Sequence, residues 1–99
     1  MRIQIVNFQL KDLPDADYRR ACDALAPLFA EVAGLLSMIW LADQASNTYG
    51  GVYTWVDRTA MDAHAKSELF HEMAANPNLA NRSSRDFEVL EAPSRVTRG

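Results

Sequence analysis

The sequence predicts an α+β domain in which one antiparallel sheet carries two helical regions on one of its faces. Three observations predict it. Apolar residues follow a strand period near both ends of the chain and in a central pair of segments. Two other stretches repeat apolar residues every three or four positions. Turn-forming residues separate all of these. The resulting order is strand, helix, strand, strand, helix, strand.

Residues 2–10 are rich in Ile, Val and Phe and read as the first strand, which Lys11-Asp12-Leu13-Pro14 ends. Asp15 is placed to cap the helix that follows. Tyr18, Ala21, Cys22, Leu25, Phe29 and Val32 share one helical face and carry the helix to about Ala33. Pro27 removes one backbone hydrogen bond, which predicts a kink near Asp23 to Ala26, and Gly34 supplies the stop. Leu35 to Ala42 and Tyr49 to Val56 form two strands joined by a turn through residues 43–47. Gly50-Gly51 marks a bulge or a close approach in the second of them. Asp57 caps a second helix whose apolar side is Ala60, Met61, Ala65, Leu69, Phe70, Met73 and Ala74, and Asn76-Pro77-Asn78 ends it. The segment from Asn76 to Ser84 reads as a solvated loop, the alternative being that with Arg82 it gates a pocket or meets an anionic substrate. A last strand runs from Arg85 to Glu91, where Phe87 and Val89 alternate with Asp86 and Glu88. One domain therefore spans 1–92, and Pro93 opens a short basic tail, 93–99. This βαββαβ order is the ferredoxin-like plan.

A chain of 99 residues has room for one core, burying roughly 65% of the surface its unfolded form exposes. Ten Lys and Arg against thirteen Asp and Glu give a net charge of -3, with no basic stretch interleaved with aromatics, so no nucleic-acid partner is expected. The opening Met1-Arg2-Ile3-Gln4-Ile5-Val6 alternates where a signal peptide needs an apolar run, and no stretch reaches the ~20 apolar residues of a membrane span. No membrane association is expected, and the cytoplasm is the expected location. Cys22 is the only cysteine and lies on the apolar stripe of the first helix, where it packs as a small hydrophobe.

Leu35 to Ala42 reads Leu-Leu-Ser-Met-Ile-Trp-Leu-Ala, apolar on both faces of its strand. Two helices cover only one face of a sheet, and the other would leave a large apolar patch in water. A second copy packed sheet to sheet about a twofold axis covers it, so a homodimer is expected.

Several motifs carry a resemblance: Leu25-Ala26-Pro27-Leu28, Gly34-Leu35-Leu36 leading to Trp40, Tyr49-Gly50-Gly51-Val52-Tyr53, and Trp55-Val56-Asp57-Arg58-Thr59-Ala60-Met61-Asp62-Ala63-His64. On these the chain resembles, from about Ile3 to Ala92, the dimeric α/β-barrel proteins, and within them the monooxygenases of the YdhR type and of antibiotic biosynthesis. The resemblance implies paired sheets forming a barrel, with a cavity between sheet and helices in each subunit. It also implies oxygenation of a small hydrophobic, aromatic or polyketide-like molecule without a cofactor. Because the superfamily also includes other activities, a non-catalytic protein that binds or sequesters a hydrophobic metabolite is the alternative.

Oxygenation without a cofactor needs a substrate that forms a stabilised carbanion, and a dry pocket with a base and donors for the anion. The expected catalytic residues are His64, Asn7 and Tyr53, with His64 as the base and Asn7 and Tyr53 holding oxygen. Trp55, Trp40, Phe87 and Phe70 are the expected substrate-binding aromatics, Trp55 sharing a strand face with Tyr53. No metal site is expected. His64 and His71 stand seven apart, about 10 Å along a helix axis, too far to meet on one ion. Haem breakdown in the superfamily uses an asparagine, a tryptophan and an axial histidine. The resemblance places His64 at that tryptophan and Ala74 at that histidine, so haem chemistry is not expected.

Overall fold

A computed structural model describes residues 1–99. Its elements are β1 (Arg2–Leu10), α1 (Asp15–Ala30), β2 (Leu35–Asp43), β3 (Thr48–Trp55), α2 (Arg58–Ala65), α3 (Glu68–Ala75), β4 (Leu79–Glu88) and α4 (Glu91–Val96). The four strands form one antiparallel sheet in the order β2-β3-β1-β4, the ferredoxin-like arrangement the pattern predicts. No helix is long and apolar enough to cross a membrane.

Strand side chains alternate between faces, so the register assigns each residue to one side. Val6 pairs with Gly51, Phe8 with Tyr49, Gln4 with Tyr53, and Met38 and Trp40 with Tyr53 and Gly51. These point to the helices. Val6, Phe8, Tyr49, Tyr53 and Trp55 are buried there against Tyr18 and Phe29 of α1 and Met61 of α2. Trp55 has no exposed surface, and its indole N–H donates to Gln4 Oε1 at 3.0 Å. The opposite face carries Ile3, Ile5, Leu41, Val52 and Ile39, and no element of the chain covers it; Ile39 is 62% exposed.

The elements depart from the sequence pattern in five places. The helix of α1 stops at Ala30, one turn past Pro27 and short of Ala33. Asp15 does not cap it: Pro14 occupies the cap position, and the Asp15 carboxylate instead accepts from Tyr49 Oη at 2.5 Å and Arg19 Nε at 2.7 Å. The second helical region is two helices. Lys66 ends α2, and Ser67 starts α3 by accepting the Phe70 N–H on its hydroxyl, a local cap that outcompetes continuation. The last strand begins at Leu79, so Arg82 lies on a strand and not in a loop. Pairing with β1 over Asn7–Ser83, Gln9–Ala80 and Leu10–Leu79 overrides the weak strand propensity of Asn81, Arg82 and Ser83. Finally, Glu91–Val96 forms a short helix where the basic tail was expected. Asp57 caps α2 as expected, accepting from Ala60 N at 2.8 Å.

Gly34 and Gly50 hold positive φ, +78° and +149°. At Gly50 a Cβ would sit 1.8 Å from the Val6 carbonyl oxygen. Only glycine lets β3 lie this close to β1 there.

Candidate functional site

The central strand β3 places Tyr53 and Trp55 on the helix-covered face, their rings parallel within 2° and 6.0 Å apart. The next element, α2, begins three residues later and brings His64 over them, one imidazole enclosed by aromatic rings. Its ring lies 5.4 Å from Trp55, 5.8 Å from Phe29, 5.9 Å from Phe70 and 6.5 Å from Tyr53. His64 is 9% exposed. Burial pushes its pKa below the ordinary 6.5, with the positive charge of Arg82 adding to the effect, so the ring is neutral at pH 7. Burial pushes the Tyr53 phenol upward, so it too is neutral, while Arg82 pulls in the other direction.

Arg82 enters from β4 and lays its guanidinium 4.7 Å from the centre of the Phe70 ring. No carboxylate lies within ion-pair distance of it. Tyr53, His64, Phe70 and Arg82 thus surround one small cavity between sheet and helices, closed further by Val6, Phe8, Phe29, Met73 and Leu79. Its volume is about 20 Å³, enough for one water and too little for a ring. His64 is also part of the wall of an outer groove of about 620 Å³. That groove runs between the end of α1 and the α2–α3 pair, with an apolar floor of Leu28, Val32, Ala60 and Leu69 and a rim of Glu31, Glu68 and Glu72. At the α2–α3 joint, His64 Nδ1 stands 3.4 Å from Ser67 Oγ.

The structure brings together His64, Tyr53, Trp55 and Phe70 of the residues expected from sequence. Trp40 is one ring further out, edge-on to Phe29 at 5.4 Å on the same face. Asn7 and Phe87 are corrections. Asn7 alternates with Val6 and Phe8, so it lies on the open face, where its amide donates to the Tyr49 carbonyl at 3.3 Å. Phe87 pairs with Ile3 on that same open face, 44% exposed, with Arg85 5.5 Å from its ring centre. Neither reaches His64 within one chain. Phe29 and Ser67 lie outside the site residues the sequence singles out, and Arg82 enters there only as a loop residue able to gate the pocket or meet an anionic substrate. Phe29 carries a signal as part of the α1 stripe; Arg82 carries only its charge, because its facing depends on a bulge between Asn7 and Gln9 in the β1–β4 pairing.

A family model described as "Putative mono-oxygenase ydhR" matches residues 3–99. Among solved structures, a protein of unknown function from Nitrosomonas europaea superposes with a TM-score of 0.77 at 19% identity, over 92% of this chain and 90% of that one. A putative antibiotic biosynthesis monooxygenase from Deinococcus radiodurans gives 0.76 at 18% identity, over 93% and 95%. SnoaB, a cofactor-independent oxygenase from Streptomyces nogalater, gives 0.70 at 20% identity, over 92% and 95%. At these identities the likeness establishes the fold. No curated protein sequence matches the chain.

Proposed function

The chain belongs to the family described as "Putative mono-oxygenase ydhR", and from that premise we propose that it is a cofactor-independent monooxygenase of small, hydrophobic, enolisable aromatic or polyketide-like molecules. The observation that carries the reading is the aromatic enclosure of His64 by Phe29, Tyr53, Trp55 and Phe70, beside a small cavity whose polar lining residues are His64, Tyr53 and Arg82. In such chemistry an activated methylene becomes a carbonyl. One atom of dioxygen enters the product, and the other leaves as water with the two hydrogens of that carbon. The substrate's own enolate delivers the electrons, and the protein's task is to hold that anion in a dry pocket. The outer groove, about 620 Å³ with an apolar floor, has the room for the rings of such a substrate, and His64 stands in its wall.

The uncovered apolar sheet face supports a homodimer, which also places Asn7 and Phe87 of each subunit against the partner sheet. The chemistry and the location, the cytoplasm, are consistent with a soluble enzyme. The near-closed inner cavity favours a second reading, a binding protein whose ligand stays in the outer groove unchanged. The experiment is oxygen uptake with an anthrone, with the product identified by mass. The expected result is a quinone one oxygen atom heavier and two hydrogens lighter, with kcat lowered about 100-fold in Arg82→Met, the size of losing one anion-holding donor. An anthrone recovered unchanged while still binding the protein would establish the second reading instead.

A further inference from the structure

We infer that the outer groove takes a hydrophobic molecule bearing a protonated primary or secondary amine, with its apolar body on the groove floor and its ammonium at the rim. The inference rests on the groove being the place where the substrate's rings lie, and it adds the charge at the substrate's other end. A groove of about 620 Å³ is the size of a small-molecule site. Three carboxylates, Glu31, Glu68 and Glu72, stand on its rim above Leu28, Val32 and Leu69. None of the three is in an ion pair. No lysine or arginine lines the groove, and its one histidine, His64, is neutral at pH 7.

The helices around the groove add to its negative potential. The C-terminus of α1 is here, with Glu31 as its cap residue. A helix C-terminus carries partial negative charge that a basic residue in the last turn ordinarily offsets, and α1 has none there. On α3, Glu68 lies in the first turn, where the helix N-terminus offsets its charge. Glu72, one turn further on, is beyond that reach. The two are also four residues apart, a like-charge spacing that weakens a helix unless a cation answers it. The kind of cation follows from what the groove lacks. No Phe, Tyr or Trp lines it, so a quaternary ammonium, which ring faces hold, finds no cage. Carboxylates hold a cation most strongly through its N–H bonds, which a primary or secondary ammonium supplies.

Proton–nitrogen spectra of the ¹⁵N-labelled protein at neutral pH, recorded through a titration, give both the place and the affinity of a probe. The probes are naphthylethylamine, its trimethylammonium derivative and naphthylacetate, which share one ring system. The amine is expected to bind about tenfold more tightly than the carboxylate, with shifts centred on the end of α1 and the α2–α3 joint, and the trimethylammonium compound more weakly than the amine. Added salt is expected to narrow the gap, because the rim is exposed. Glu68→Gln combined with Glu72→Gln, both at exposed positions, is expected to bring amine and carboxylate within about threefold of each other. Equal affinities in the native protein, no binding of the amine, or shifts centred elsewhere overturn the inference without recourse to any variant. An undiminished preference for the amine in the double variant, or a trimethylammonium compound that binds as tightly as the amine, also overturns it. None of these measurements reads turnover. A chain that holds the amine and oxidises nothing would sink the monooxygenase reading alone, and one that oxidises an anthrone but prefers the carboxylate would sink only this inference.

Discussion

His64 is largely buried among aromatic rings, with one edge on the outer groove, and this burial couples its ionisation to folding. Its pKa is depressed in the folded state, by burial first and by Arg82 second. As pH falls through the ordinary value near 6.5, the unfolded chain takes up a proton that the folded chain refuses. Stability is therefore full above about pH 6.5 and declines below it until the folded ring also protonates. Urea midpoints measured from neutral to mildly acid pH are expected to fall for the native protein and to fall less for His64→Gln; equal slopes would remove the coupling. The sequence made this residue legible as a candidate, because strand alternation joins Tyr53 to Trp55 and helix spacing follows from Asp57. It did not make Asn7 and Phe87 legible as residues of the other face. Which face a strand residue takes depends on register, and register is set by partners more than forty residues away.

Among the elements, β1 and β3 are joined most tightly at Gly50. Gly50→Ala is expected to disrupt this pairing, since its Cβ would meet a backbone oxygen that cannot move without breaking the ladder. Added to the roughly 1–3 kcal/mol of backbone strain at such a φ, this should prevent a cooperative thermal transition followed by circular dichroism. A variant melting within a few degrees of the native protein would contradict it. Strands and helices with a strong period were readable from the sequence, as was the Asp57 cap. The break between α2 and α3 was not, because Leu69, Phe70 and Met73 continue the apolar side across it while the Ser67 hydroxyl ends the helix locally. The first half of β4 was hidden for the opposite reason: its residues are poor strand formers held in place by their neighbour β1.

For the molecule as a whole, the open sheet face is the feature that a single copy leaves unresolved. Ile39→Asp, at the centre of β2 and already 62% exposed, is expected to leave the monomer folded and to halve the mass seen by sedimentation. A native protein that sediments as a monomer would overturn the homodimer. The same sheet also fixes an order of events in time. Ile3 meets Thr54 on one side and Phe87 on the other, so the strand made first is completed last. At the ordinary pace of protein synthesis, the interval between making Ile3 and making Phe87 is roughly 4–17 s. During the later part of it β3 can already have docked, while the opposite flank of β1 offers its backbone to whatever strand is near. A newborn chain of this protein is thus briefly a three-stranded sheet with an unfilled vacancy, and its own last strand competes with strangers for the place.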